Sequence, residues 1–152
     1  MIEENVVALF DMDGTLTEPR EKINRDTIAA LKQLSQYAKI GIITGSDLAY
    51  IHEQCGTLFD IGGINIDKVD LLPCNGTKML RWEGSSFKML HEADMIGHIG
   101  KQNYRKIISK IFHWQSEIAT LYPDLPYTGT FVQYRGSLLN WCPIGRLANL
   151  DQ

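Results

Sequence analysis

Two aspartates one residue apart, Asp11 and Asp13, close an apolar run in "VVALFDMDGTLTEPR", residues 6–20. A strand that buries both faces has no structural use for paired negative charges at its tip, so something must neutralise them. Three chemistries compete for the pair. An EF-hand calcium loop needs oxygen ligands at positions 1, 3 and 5 and glycine at 6; here glycine comes fourth, and that reading fails. A solvated acidic turn leaves the pair without a role. The remaining reading is a magnesium site with a carboxylate nucleophile. Asp11 attacks a phosphoryl group to form an aspartyl-phosphate, while Mg²⁺ lowers the repulsion between anions and orients the phosphate. Asp13 points to the same side of an extended backbone, so it can act as acid to the leaving oxygen and as base to the next nucleophile. Gly14 would admit close backbone approach to the phosphate, and Thr15 could cap or donate to it.

The elements that must position these groups alternate between strand and helix. Val6 to Phe10 is a continuous apolar run, as expected of a strand covered on both faces. Asn24 then caps a helix with Ile28, Leu31 and Leu34 on one stripe. "KIGIITGS" (39–46) is a second buried strand, and Ser46 or Asp47 caps a helix with Leu48, Ile51, Cys55 and Leu58 at helical spacing. "VDLLPCNG" (69–76) is a third strand closed by an Asn-Gly turn. This order predicts an α/β fold with a Rossmann-like parallel sheet. Ligands bind such sheets beyond the carboxyl ends of the strands, where Asp11, Asp13, Thr44, Ser46 and Asn75 all fall.

After about residue 80 the pattern changes. "LRWEGSSFKML" reads as a hairpin around Gly84, "NYRKIISKIFHWQSEIATL" as a long amphipathic helix, and "YTGTFVQYRGSLLNWCPIG" as two strands around Arg135-Gly136. The expectation is a core over 1–78 and a separate α+β cap over 79–152.

Composition sets the remaining bounds. The chain has 152 residues, 44% hydrophobic and 22% charged, enough to bury roughly two-thirds of its unfolded surface. A net charge of -3 argues against nucleic acid or an anionic membrane as main partner. Cys55, Cys74 and Cys142 form neither a disulfide framework nor a zinc pattern. "MIEENVV" shows no signal peptide, and no segment approaches a membrane span, so a cytoplasmic setting is expected. The four histidines show no metal-ligand spacing, and Trp82, Trp114 and Trp141 read as packing residues.

A hydrophobic strand followed by "DMDGTLT" resembles the first motif of the haloacid dehalogenase superfamily of phosphatases and phosphomutases. "IITGSD" (42–47) resembles its second, in which a Thr or Ser hydroxyl holds the phosphoryl oxygens; Thr44 and Ser46 both qualify. Over roughly 5–60 and 129–146 the chain is similar to the eukaryotic-type phosphomannomutases, in "ALFDMDGTLTEPREKI", "IGIITGSDLAYIHEQCG" and "GTFVQYRGSLLNWCPIGR". It departs where that family usually reads Gly-Gly-Ser-Asp (here Thr44-Gly45-Ser46-Asp47) and Glu-Asn-Gly (here Cys74-Asn75-Gly76).

The resemblance implies that Arg20 contacts substrate phosphate, and that Arg135 and Arg146 bind the other phosphate of the sugar. It implies Mg²⁺ on Asp11 and Asp13, a sugar 1,6-bisphosphate activator, a homodimer through the cap and a place in GDP-mannose biosynthesis. The superfamily completes its site with a lysine and an acidic motif that do not occur within these 152 residues. The expectation is therefore the first part of a mutase, cut within its cap, with core and cap both incomplete and little or no mutase activity. Three functions follow. The first interconverts mannose 1-phosphate and mannose 6-phosphate; the second is a sugar-phosphate phosphatase on the same chassis; the third is a degenerate binding module.

Overall fold

The structure, a computed structural model, describes residues 6–60 and 63–149. The first five residues, part of the stretch in which no signal peptide was read, lie outside that range. The chain divides into two compact units, Met1–Glu92 and Ala93–Gln152.

Unit 1 carries the apolar core. Strands β1 (Val7–Asp11), β2 (Lys39–Ile43) and β3 (Val69–Leu72) run parallel, with Asp11 opposite Ile43 and Ile43 opposite Leu72. Their C-terminal ends therefore lie side by side. Helix α1 (Arg25–Leu34) links β1 to β2, and α2 (Leu48–Asp60) links β2 to β3. The Asn24 carboxamide accepts the Thr27 N–H at 2.8 Å, the cap read from the sequence. For α2 the cap is Asp47, whose carboxylate accepts the Tyr50 N–H at 3.4 Å. Met12, Leu31, Ile40, Ile42, Ile51, Leu58, Val69 and Leu71, all at most 3% exposed, form the centre of the core.

Two features differ from the sequence expectation. Strands β4 (Lys78–Glu83) and β5 (Ser86–Glu92) extend the first sheet antiparallel, in the order β1-β2-β3-β4-β5. The hairpin thus belongs with unit 1 instead of a cap beginning at 79. Its anchors explain why. Arg81 forks onto Asp70 of β3 with two bonds of 2.7 Å, Leu80 enters the core, and Phe87 packs edge-on against Phe59 of α2 at 5.3 Å. The second difference is β1, which occupies the sheet edge among the described residues. It exposes 52% of Val7 and 59% of Leu9. An apolar run identifies a strand but not what covers each of its faces.

Unit 2 is built on α4 (Lys101–Leu121), preceded by α3 (Met95–Ile99) and followed by a hairpin of β6 (Val132–Tyr134) and β7 (Leu139–Trp141). Its packing is aromatic: Trp114 stacks on Trp141 at 5.9 Å, and Tyr104 meets Tyr134 edge-on at 5.6 Å. Gln115 of α4 accepts from the Trp141 indole and donates to Pro143 O, both at 2.9 Å. No helix of the described residues is long and apolar enough to cross a membrane.

Candidate active site

At the end of β1 the chain turns about one carbonyl. The N–H groups of Thr15, Leu16 and Thr17 all point to Met12 O at 3.0–3.3 Å, and the Thr17 hydroxyl donates to it at 3.2 Å. Gly14, at φ +77°, closes the loop by donating to Thr17 O at 2.7 Å. Met12 is fully buried, so its neighbours Asp11 (exposed) and Asp13 (half-buried) turn away from the core. Asp11 Oδ1 accepts the Met12 N–H at 2.8 Å, and Asp13 Oδ1 accepts the Arg20 N–H at 3.1 Å. Arg20 is held at φ +65° to reach it. A left-handed arginine costs of order 1 kcal/mol, a strain that surrounding structure must impose.

The second motif lies beside the first, because Ile43 is paired with Asp11. Thr44 is buried, and its Oγ1 accepts the Ser46 N–H at 3.1 Å. The turn after β3 locks onto this segment through Cys74 N–H to Ser46 O and Asn75 N–H to Thr44 O, both 2.8 Å. Cys74, Asn75 and Gly76 are all left-handed, at φ +55°, +58° and +76°, a tight turn that Asn and Gly favour. Unit 1 thus brings Asp11, Asp13, Arg20, Thr44 and Ser46 to one edge.

Arg135 and Arg146 lie in unit 2. Arg135 is buried in the β6–β7 turn, bonding Leu138 O through its N–H at 2.9 Å and Gln133 Oε1 through Nη2 at 3.2 Å. Arg146, half-buried, donates to Asn140 Oδ1 at 3.2 Å. Both guanidiniums are held in place by side-chain amides.

The carboxylate pair offers hard oxygen donors. Among the described residues no cluster of three His, Cys, Asp or Glu could hold a metal. Mg²⁺ tolerates such a site, since one or two carboxylates, water and substrate phosphate commonly complete its shell. The two aspartates fit Mg²⁺ as part of such a shell.

Near Asp13 lies Cys55 of α2, fully buried, whose thiol is pushed up to about 11, first by burial and then by the Asp13 carboxylate. The unfolded thiol ionises near 9. Below that pH both states are protonated and the fold keeps its full stability; between about 9 and 11 only the unfolded chain ionises. Stability should therefore fall by about 2–3 kcal/mol over that window. Urea titrations of the native chain and of Cys55→Ala check this, because the difference between their pH slopes isolates the thiol; equal slopes would contradict it.

Gln54 is the residue that the sequence reading passed over. It is 3% exposed on the buried face of α2, between Ile51 and Leu58, and its amide reaches the loop that carries Asp13. A polar side chain on an otherwise apolar helical stripe was the available signal.

A family model described as eukaryotic phosphomannomutase matches residues 27–152. Phosphomannomutase 2 of Dictyostelium discoideum is 33% identical over 144 residues, covering 94% of this chain and 52% of that protein. Phosphomannomutase 1 of Homo sapiens is 32% identical over 152 residues, 99% of this chain and 53% of the relative. The chain thus spans about half the length of the curated relatives it matches. A phosphatase of the haloalkanoate enzyme superfamily from Bacteroides thetaiotaomicron overlays with a TM-score of 0.50 at 26% identity, covering 73% of this chain and 36% of that one. The IMP-bound IMP-nucleotidase mutant of Plasmodium falciparum overlays with a TM-score of 0.67 at 12% identity, over 98% of this chain and 42% of the other, a likeness of fold alone.

Proposed function

The chain belongs to the eukaryotic phosphomannomutase family, and from that premise we propose that it carries the phosphoryl-transfer centre of an enzyme interconverting mannose 1-phosphate and mannose 6-phosphate. One observation carries the reading: buried Met12 sets two carboxylates on the outer side of a loop at a parallel-strand end.

In this reading the free hydroxyl of mannose 1-phosphate attacks a phosphoryl group carried on Asp11; the bond from phosphorus to Asp11 breaks, and the hydroxyl proton passes to Asp13. The bisphosphorylated sugar so formed then presents its other phosphate. Asp11 attacks that phosphorus, the bond to the sugar oxygen breaks, and the leaving oxygen takes the proton from Asp13, giving mannose 6-phosphate and phosphorylated Asp11 again. Mg²⁺, which Asp11 and Asp13 would hold (Asp13 through an oxygen other than its proton-carrying carboxyl), would neutralise phosphate charge and favour in-line attack. Thr44 or Ser46 would hold the phosphoryl oxygens, and Arg20, Arg135 and Arg146 would grip the sugar phosphates, as guanidinium forks suit planar oxyanions. A sugar 1,6-bisphosphate would prime Asp11. The proposal includes a cytoplasmic setting and a homodimer through unit 2, which exposes 59% of Phe112 and 70% of Leu121 on α4; sedimentation as a monomer at every concentration would remove the dimer.

The partition of the phosphoryl group decides between mutase and phosphatase. Given mannose 1-phosphate, Mg²⁺ and a catalytic amount of sugar 1,6-bisphosphate, the chain should form mannose 6-phosphate without free phosphate. The ratio of the two products is independent of the rate. Stoichiometric phosphate release would overturn the mutase reading, and Arg146→Ala should weaken bisphosphate binding by about tenfold or more.

A further inference from the structure

The amide of Gln54 faces three oxygens: Thr17 Oγ1 at 2.9 Å, Asp13 Oδ1 at 3.2 Å and Glu21 O at 3.3 Å. A carboxylate and a carbonyl can only accept, so the nitrogen must stand at this end of the amide. The opposite orientation would set the Gln54 oxygen against both. It would also require the Thr17 hydroxyl, with one hydrogen, to donate to Gln54 as well as to Met12 O. With nitrogen inward, Thr17 donates to Met12 O and accepts one amide hydrogen from Gln54, and the second hydrogen points to Asp13 Oδ1 at 3.2 Å and Glu21 O at 3.3 Å.

Gln54 can hold this position because it is fixed at its own ends. Its backbone carbonyl accepts the Ile23 N–H at 2.9 Å, tying α2 to the segment after the loop. Its side chain leaves α2 between the buried residues Ile51 and Cys55, so the amide approaches Asp13 from the core side.

From this geometry we infer that Gln54 is a positioning residue for Asp13. Two neutral donors, the Gln54 amide and the Arg20 N–H at 3.1 Å, converge on the same oxygen, Oδ1. They fix the rotation of the carboxyl group and assign the travelling proton to Oδ2. The substrate class is a phosphate ester whose leaving oxygen must be protonated, and the inference rests on the acid–base role proposed for Asp13. A donor that only closed the loop would serve as well through Thr17 and Glu21 alone; the contact to Oδ1 is what points to chemistry.

The test separates leaving groups. Asp11 phosphorylation is followed in a single turnover from a hexose 1,6-bisphosphate, whose sugar oxygen needs the proton, and from p-nitrophenyl phosphate, whose phenolate leaves without one. Gln54→Met keeps the side-chain length and removes the donor. It should slow transfer from the sugar phosphate roughly 10- to 100-fold, part of the general-acid contribution, and change transfer from the aryl phosphate no more than about twofold. Equal loss with both donors, or no loss with either, overturns the inference. Asp13→Asn keeps the two failures distinct: if it spares the sugar-phosphate rate, the acid–base reading of Asp13 itself falls. Should Gln54→Met not fold, the side-chain amide resonances of Gln54 in the native chain provide the second readout. They should shift when Asp13 becomes Asn, and unchanged resonances would overturn the contact.

Discussion

Asp11→Asn should reduce phosphoryl transfer to the chain by at least about 10⁴-fold, the scale on which loss of a nucleophile registers. The fold should survive. The one hydrogen bond to the Asp11 side chain in the loop, from the Met12 N–H to Oδ1 at 2.8 Å, can be accepted equally by the asparagine oxygen. Asp11 is exposed at the strand end, so the substitution opens no cavity. It also removes one of two like charges close in sequence. Thermal melting should therefore be unchanged or slightly raised while transfer from a sugar 1,6-bisphosphate and from aryl phosphates disappears together. A variant that keeps transferring phosphate would move the nucleophile to another residue, and one that unfolds would reduce Asp11 to a structural role.

The largest effect on stability is expected one residue on. Met12 is fully buried and its carbonyl gathers four donors from the loop. Met12→Ala deletes most of a side chain from a core that includes Leu16, Ile40, Ile42 and Ile51. Large-to-small changes of this kind cost about 2–5 kcal/mol, depending on how far the site collapses. Against a typical domain stability of about 5–15 kcal/mol that is a large share. Leu9→Ala, on the same strand at 59% exposure, should stay within about 0.5 kcal/mol. Urea unfolding of the two variants side by side checks the contrast; equal midpoints would mean that Met12 does not anchor the loop. Because Asp11 and Asp13 are aimed by the burial of the residue between them, Met12→Ala should also lower phosphoryl transfer in the fraction that remains folded.

The contrast between Met12 and Leu9 also marks where the sequence was legible. Local signals survived intact: the Asn24 cap, the three parallel strands, the turn at Gly84 and the hairpin at Arg135-Gly136 all stand where pattern and turn chemistry put them. Period-two and period-3.6 patterns report what a segment is, since its own residues decide that. What lies against the segment depends on residues far along the chain. Val7 and Leu9 read as buried and are half-exposed on an edge. The 78–92 hairpin was read as part of the cap, yet Arg81 and Leu80 bind it to β3 and the core. The site followed the same rule. Asp11, Asp13, Thr44 and Ser46 were read as site candidates from motifs at strand ends. Gln54 reaches Asp13 across 41 positions, and only its polar intrusion into an apolar stripe hinted at it. For Arg135 the resemblance alone implied an anion clamp. Its burial and its bond to Gln133 show a guanidinium already held in one orientation, which is compatible with recognising a planar oxyanion.

The central claim is that Asp11 becomes covalently phosphorylated, and chemical trapping tests it most directly. The chain is incubated with Mg²⁺ and a sugar 1,6-bisphosphate, reduced with borohydride and digested, and the peptide carrying "DMDGTLTEPR" is sequenced by mass spectrometry. An acyl phosphate on Asp11 is reduced to homoserine at that position, and the account predicts homoserine at residue 11 and unmodified aspartate at 13. Reduction at Asp13, or a phosphoryl group found instead on Thr44 or Ser46, would contradict it.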